Sequence, residues 1–151
     1  NTKNDPTVAV PSKSVVKEGS KFIVSGNTYK VTKENEEVRF IKAKKNAKTV
    51  IIPATVTNKG VTYKVTSIAA KAVKNNKKVK SVVIGANVKS ISNNAFIKCP
   101  ALKKVNIKST LLTKKTASKK ALKSVNKKLT VKVPKKVKKE YKKIFKGLKI
   151  K

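Results

Sequence analysis

Very few residues of this chain could do acid–base, nucleophilic or metal chemistry. The 151-residue sequence contains no histidine, a single cysteine (Cys99) and 6 acidic residues. Catalysis needs polar groups placed to move protons, bind a metal ion or attack a carbonyl group. The acidic residues stand outside the regularly spaced apolar positions, and there is no glycine-rich phosphate loop and no metal-ligand spacing. The sequence therefore predicts a protein that is not an enzyme and has no cofactor.

The cysteine and the clustered acids both have simple structural interpretations. Cys99 cannot form an internal disulfide, and we interpret it as a small buried apolar residue instead of a reactive thiol. Glu34, Glu36 and Glu37 lie together in a predicted loop. They could form a weak cation site, but neutralisation of neighbouring lysines is the simpler explanation, so no metal site is predicted.

The charge of the chain is strongly positive and comes almost entirely from lysine. Forty basic and 6 acidic residues give a formal net charge of +34, and Arg39 is the single arginine. Arginine grips phosphate through a planar fork, whereas lysine is a hydrated point charge on a flexible stem. The composition predicts diffuse attraction to polyanions and a fold that salt stabilises by screening its self-repulsion.

The apolar residues that position these lysines recur with a period of 23. Residues 65–85 align with 88–108 at seven apolar positions: Val65/Val88, Ile68/Ile91, Ala72/Ala95, Val73/Phe96, Val79/Leu102, Val82/Val105 and Ile84/Ile107. Such a period is typical of leucine-rich repeats, which stack to bury their apolar faces. We predict that each x-V-x-I segment is a strand with alternate side chains in the core. The segments AAKAV and NNAF are predicted to form a helical turn on the opposite wall.

Weaker copies flank the two clear repeats. An earlier copy, residues 47–55, precedes its neighbour by 32 positions, because TNKGVTYKV inserts a predicted hairpin. A later copy, residues 116–133, is offset by 26. After Pro134 an apolar stripe predicts an amphipathic helix that ends at Gly147. The stripe consists of Val137, Tyr141, Ile144, Phe145 and Leu148.

These elements predict one domain of the α/β class, a short leucine-rich-repeat solenoid. We assign residues 1–19 to a linker or extended lead-in and residues 20–46 to N-terminal antiparallel hairpins. Residues 47–133 hold the repeats, and residues 134–151 form a C-terminal capping helix. We expect the domain to be monomeric, and no apolar run is long enough to span a membrane.

The motif I-x-x-x-A-F-x-x-C-x-x-L-x-x-V-x-I, from Ile91 to Ile107, resembles the BspA-like (Treponema-type) leucine-rich repeats of bacterial surface proteins. The resemblance covers residues 47–133, and the copy at 65–85 departs from it, with Val73 for the aromatic residue and Asn76 for the cysteine. It implies an exported protein, extracellular or at the bacterial cell surface, with an adhesin or interaction role and no catalytic activity. It supplies no ligand residues.

The strand side chains that do not enter the core define the predicted binding surface. Ser81 and Val83 belong to this outward set, and its predicted polyanion or partner contacts are Lys80, Lys103, Lys104, Asn106 and Lys108. Candidate partners are acidic polymers such as wall teichoic acid and sulfated glycans, or host surface proteins. A merely solvated face is an equal alternative.

Two other functions remain open at this point. The charge would attract any phosphate backbone, so a nucleic-acid-binding protein with non-specific contacts is the main alternative. With Arg39 the single residue able to make a bidentate contact, and the aromatics at core-like positions, sequence-specific binding is not predicted. The basic C-terminal helix could instead lie on an anionic membrane, although capping of the solenoid is the preferred interpretation.

Overall fold

The computed structural model describes residues 17–151, and most of their regular structure is β-strand. The strands are β1 Lys21–Val24, β2 Asn27–Lys33, β3 Glu37–Lys42, β4 Thr49–Ile52, β5 Thr55–Asn58, β6 Val61–Ile68, β7 Val73–Lys74, β8 Ser81–Ile84, β9 Ser90–Ile91, β10 Phe96–Cys99, β11 Lys104–Ile107, β12 Leu122–Val125, β13 Thr130–Lys132 and β14 Lys149–Ile150. One α-helix, α1 Lys138–Ile144, follows a 3-10 turn at Lys135–Val137, and a second 3-10 turn covers Lys119–Ala121.

The strands form three sheets that wrap one core. Sheet I has the order β1-β2-β3-β6-β5, with β9 also paired to β6. Sheet II is β12-β10-β7, and sheet III is β14-β13-β11-β8-β4. All pairs in sheets II and III are parallel, as expected when successive turns of a solenoid stack on one another.

The register of the parallel strands confirms the repeat offsets predicted from the sequence. Val82 pairs with Val105 and Ile68 with Ile91, each 23 positions apart (105 − 82 and 91 − 68). Val50 pairs with Val82, an offset of 32. Sheet II pairs Phe96 with Leu122, an offset of 26. The seven aligned apolar pairs are all buried, so the alignment identified the core.

Sheet I contains two tight hairpins. Ser25 and Gly26 connect β1 to β2 with φ values of 52° and 83°, and Lys59 and Gly60 connect β5 to β6 with 50° and 80°. Two consecutive positive φ values are the mark of type I′ loops, whose twist matches that of the paired strands. The end strands β1 and β5 contact each other, and Phe22 of β1 packs against Tyr63 of the neighbouring β6, with ring centroids 5.5 Å apart.

The predicted helical turn opposite sheet III is wrong. Ala72 and Ala95 each close a single tight turn, donating to Ala69 (3.3 Å) and Ser92 (3.2 Å) respectively, and the chain then enters the parallel strands of sheet II. Lys71 and Asn94 have φ values of 59° and 62°, which stop a right-handed helix before it can begin. The architecture of the described residues is therefore a β-solenoid whose one α-helix lies near its C-terminal end.

The C-terminal cap is also shorter than the predicted helix of residues 134–151. Helix α1 ends at Ile144, Gly147 reverses the chain with a φ of 93°, and β14 then pairs in parallel with β13. Tyr141, Ile144 and Phe145 are buried, so the predicted apolar stripe does face the core.

The predicted linker of residues 1–19 lies outside the described residues except for its last three. Of these, Gly19 donates its N–H to the carbonyl of Val31 at 2.7 Å, next to the start of β1. The boundaries assigned to the domain at residues 20, 47 and 134 stay predictions.

Candidate functional site

The outer face of sheet III is built from alternate residues of its five strands. Their alternate partners, among them Val82, Val105 and Val131, are buried, which turns the intervening side chains outward. The register aligns these outward residues in two rows across the sheet. The first row is Thr49, Ser81, Lys104, Thr130 and Lys149, and the second contains Ile51, Val83, Asn106 and Lys132.

The outer face changes character from one end of the solenoid to the other. The β4–β8 half carries hydroxyl and aliphatic groups, with Thr49 and Ser81 hydrogen-bonded through their side-chain oxygens at 3.3 Å. The β11–β13–β14 half carries lysines at Lys104, Lys132 and Lys149. Neighbouring strands in a sheet are about 4.8 Å apart, so these ammonium groups belong to one patch.

A groove of about 610 Å³ lies at the lysine end of this face, against the start of the cap. Five lysines line it together with Asn106 and Thr130: Lys104, Lys132, Lys135, Lys138 and Lys151. We call these five residues the lysine groove. The groove exists because the cap turns back at Pro134 and places its first turn beside β11 and β13.

The structure divides the predicted contact residues into three positions. Lys104 and Asn106 line the groove. Lys80 and Lys103 lie at the corner before the strands, where the Lys80 carbonyl accepts the Lys103 N–H at 3.1 Å. Lys108 follows β11 and donates its N–H to Ile84 at 2.9 Å. All four lysines are exposed.

Sequence reasoning missed most of the groove. Lys132 could have been found, because it alternates with the buried Val131 and Val133 in a predicted strand. Lys135, Lys138 and Lys151 could not, because their place depends on how the cap folds back. The spacing of apolar residues in the sequence does not indicate how the cap folds back.

The electrostatics of the groove follow from the absence of nearby acids. No acidic residue lines it. The ion pairs of the described region lie elsewhere: Lys33–Glu36 (3.0 Å), Lys89–Glu37 (3.8 Å) and Lys143–Glu140 (3.7 Å). Two members of the acidic cluster therefore neutralise lysines, and residues 17–151 contain no group of three or more His, Cys, Asp or Glu suited to hold a metal ion.

The repeats themselves identify the family of the chain. A family model described as BspA type leucine rich repeat region, with 6 copies, matches residues 43–151, well over half of the sequence. The chain belongs to the BspA-type leucine-rich repeat family. The match begins before the predicted repeat region and includes the cap, so more of the chain is repeat than the sequence alone indicated. A search of curated proteins found no match.

Solved structures show the same fold. A leucine-rich repeat protein from Bacteroides capillosus is 22% identical, with a TM-score of 0.54 over 87% of this chain and 99% of that one. A leucine rich cell surface protein from Faecalibacterium prausnitzii is 22% identical over 79% of this chain, with a TM-score of 0.55. A leucine-rich repeat protein from Bacteroides ovatus is 23% identical over 76%, with a TM-score of 0.53. The BspA-type chain spans only 38% of each of the last two proteins.

This BspA-type chain is a non-enzymatic repeat protein, and its one cysteine has a structural place. Cys99 is fully buried, with Sγ 3.4 Å from the Ile97 carbonyl oxygen and 3.7 Å from that of Val73. Burial raises the pKa of the Cys99 thiol above its ordinary value and so disfavours the nucleophilic thiolate.

Asn76 occupies the place of Cys99 in the preceding repeat and holds a corner of the BspA-type solenoid. Its amide nitrogen donates to the Ala47 carbonyl at 2.9 Å, and its side-chain oxygen accepts the N–H groups of Lys78 (2.8 Å) and Val79 (2.9 Å). The departure from the repeat motif at this position is thus compensated by hydrogen bonds.

The aromatic residues of the BspA-type chain all serve the core. Six of the seven are buried and Phe22 packs against them. None is left as an exposed platform on which nucleic-acid bases could stack. No helix in the described residues is long and apolar enough to cross a membrane.

Proposed function

We propose that this chain is a binding module of an exported bacterial protein, secreted or displayed at the cell surface. On this proposal the lysine half of sheet III contacts an acidic partner. Membership in a family of leucine-rich repeat surface proteins suggests a protein-binding role and an extracellular location. The candidate partners are host surface proteins with acidic patches, wall teichoic acid and sulfated glycans.

The observation that carries the proposal is the lysine groove. Its five ammonium groups come from β11, β13, the start of the cap and Lys151 after β14, and no Asp or Glu side chain lines the groove. A concave site lined by one sign of charge focuses the field and raises the local concentration of a ligand of opposite charge. The predicted contacts at Lys104 and Asn106 belong to this groove, and Lys80, Lys103 and Lys108 would extend it along the solenoid.

The test compares two variants of equal charge. The groove variant replaces Lys104, Lys132, Lys135 and Lys138 by glutamine. Its control replaces by glutamine four exposed lysines in or next to β7 and β12 of sheet II: Lys71, Lys74, Lys120 and Lys123. Both variants lose four positive charges, so a diffuse effect of net charge acts equally on the two.

The ligands are purified cell wall with and without teichoic acid, a sulfated glycan, a host matrix protein and duplex DNA. We expect one acidic ligand to stay bound at about 0.15 M salt, where the Debye length is about 8 Å. The groove variant should weaken that binding about tenfold and the control variant less than about threefold. Equal losses in both variants would refute the groove as a site. A DNA preference that persists at this salt would favour the nucleic-acid alternative.

A further inference from the structure

The two edges of sheet III differ in a way that points to a second interaction surface. One edge is β14, which has two residues and carries an outward lysine at Lys149. Short, lysine-bearing edges discourage the addition of another strand. The other edge is β4, which has four residues and carries Ile51, whose relative exposure is 57%. The four residues of β4 include no lysine and no proline, so this second edge is less protected than β14.

Within residues 17–151, the outer side of β4 has backbone groups that pair with no other strand. The carbonyls of Lys48 and Ile52 accept the N–H groups of Lys80 and Gly85, both at 2.8 Å, so they point toward β8. Successive residues of a strand direct their polar groups to opposite sides, so those of Thr49 and Ile51 point away from β8. Among residues 17–151, β4 pairs with β8 alone.

A groove of about 570 Å³ runs along this edge. Its opposite wall is the tip of the β1–β2 hairpin, at Val24, Ser25 and Asn27. The apolar residues that line the rest of the groove include Tyr29, Ala47, Val50 and Val56. An extended chain placed beside β4 would therefore have a backbone ladder on one side and apolar side chains beneath it.

The hairpin wall is fixed in position by the segment that leads into β4. The Lys44 N–H donates to the Asn27 side-chain oxygen at 2.8 Å. The Lys44 stem also lies against Gly26, where a Cβ atom would approach Lys44 Cγ to 2.9 Å. The hairpin wall of the groove is thus held by contacts within the folded domain.

We propose that an extended segment of an acidic partner protein binds here by adding a strand to the free edge of β4. Backbone hydrogen bonds to Thr49 and Ile51 would supply affinity, and alternate apolar side chains would fill the groove. The remaining side chains, facing solvent near Lys44 and Lys48, would be acidic. Charge decides the occupant, because no acid lines the groove and a net charge of +34 opposes a second copy of this chain. The surface is at the other end of sheet III from the lysine groove.

The probe is a short capped peptide of alternating valine and glutamate. Two further peptides carry methyl groups on every second backbone nitrogen, one on the valines and one on the glutamates. Side chains and charge are identical in all three, but each methylated peptide can donate hydrogen bonds from one edge alone. Because the valines must face the groove, a strand that adds in a single direction, parallel or antiparallel to β4, requires one methylated peptide to bind and the other to fail.

On the full chain we expect the unmethylated peptide to bind and to slow hydrogen exchange at the Thr49 and Ile51 amides by about tenfold. Ile51→Pro removes a donor that faces the open edge, where proline is tolerated, and should weaken the peptide about tenfold. Ile51→Thr keeps that N–H and should bind within about threefold of the original chain. Circular dichroism checks that both variants fold.

Three outcomes would overturn the proposal. The two methylated peptides could bind equally without slowing exchange at Thr49 and Ile51, which would indicate electrostatic attraction alone. Protection could appear at amides of β1 or β5 and not at Thr49 and Ile51. The chain could also dimerise and protect the β4 edge without peptide. The glutamine variant of the lysine groove should bind the peptide within about threefold of the original chain, so the two proposals fail independently.

Discussion

At the scale of single residues, Tyr141 joins the cap to the solenoid. Its hydroxyl donates to the Ser109 carbonyl at 2.7 Å and accepts the Leu112 N–H at 3.2 Å, and all of these contacts are buried. Replacing Tyr141 by phenylalanine would leave both backbone groups without a partner. We expect the free energy of unfolding to fall by about 1–3 kcal/mol in urea titrations followed by circular dichroism.

Tyr63 offers a matched control for that substitution. Its hydroxyl is buried and has no hydrogen-bond partner among residues 17–151. Tyr63→Phe therefore removes a desolvated polar group and leaves no other polar group there without a partner. We expect this variant to be as stable as the original chain or slightly more stable. If Tyr141→Phe were as stable as the original chain, ring packing, which phenylalanine keeps, and not the Tyr141 hydrogen bonds would hold the cap.

The Cys99 thiol should react very slowly with alkylating reagents in the folded protein. The thiol is fully buried, and burial raises its pKa above the ordinary value of about 9. We expect iodoacetamide to label the native chain at pH 8 at least about a hundredfold more slowly than the chain in guanidinium. The neutral thiol favours the folded state at low and neutral pH. This contribution is lost as the pH rises above the unfolded value and through the raised folded one. Rapid labelling of the native chain at pH 8 would contradict this burial.

The sequence revealed single residues only where they repeat. Cys99 and Phe96 were predicted as core residues because their apolar neighbours recur 23 positions earlier, and both are buried. Asn76 was seen merely as a departure from the motif. Its amide nitrogen donates to the carbonyl of Ala47, 29 residues away. The spacing of residue types in the sequence cannot reveal such a contact.

At the scale of elements, Gly85 sets how closely β8 follows the corner after β4. A Cβ atom at this position would lie 2.6 Å from the Ala54 nitrogen and 2.7 Å from the Ile52 oxygen. These are backbone atoms, which cannot rotate away as a flexible side chain would. We expect Gly85→Ala to lower the free energy of unfolding by about 1–3 kcal/mol, measured by urea denaturation.

The equivalent position in the next repeat is a natural control. Lys108 stands 23 residues after Gly85, donates the corresponding backbone hydrogen bond to Ile84 and carries an exposed side chain. Lys108→Ala should change stability by less than about 0.5 kcal/mol. A neutral Gly85→Ala variant would mean that the Pro53–Ala54 corner can relax, and the close packing would then be incidental.

Strands and helices were predicted well where apolar and polar side chains alternate clearly. They were predicted poorly where backbone conformation and strand pairing determine the secondary structure. The x-V-x-I segments around Val82 and Val105 are strands, as alternation requires. The segments AAKAV and NNAF, which end at Val73 and Phe96, were predicted to form helical turns on the wall opposite these strands. Left-handed residues at Lys71 and Asn94 and pairing between neighbouring repeats make them turns that lead into strands instead. The last residues, Lys149–Ile150, become a strand for the same reason, since β13 offers them an open edge.

At the scale of the whole molecule, the repeat offsets predicted which strands stack but not how the surface is divided. The solenoid and its outward face follow from the 23-residue period and from alternation. The contrast between an aliphatic end near Ile51 and a lysine end near Lys132 depends on the order of strands in sheet III, which no single repeat contains. Likewise, the lysine groove requires the cap to fold back on the sheet.

The net charge makes the stability of the whole fold depend on salt. The net charge is +34 on 151 residues. The described region contains three ion pairs to offset the repulsion, and all of them join exposed or half-exposed side chains. Raising the salt from about 0.01 M to about 0.15 M shortens the Debye length from about 30 Å to about 8 Å and so weakens the repulsion. We expect the melting temperature, followed by circular dichroism, to rise by several degrees over this range.

Acetylation of the lysines separates charge screening from other effects of salt. It removes the positive charges, so the acetylated chain should melt at a temperature that sodium chloride hardly changes over the same range. A similar rise in both forms would instead indicate strengthened burial of apolar groups. A melting temperature that stays constant in the unmodified chain would mean that the lysines are spread widely enough for water alone to screen them. The lysine groove would then lack the focused field on which its proposed binding depends.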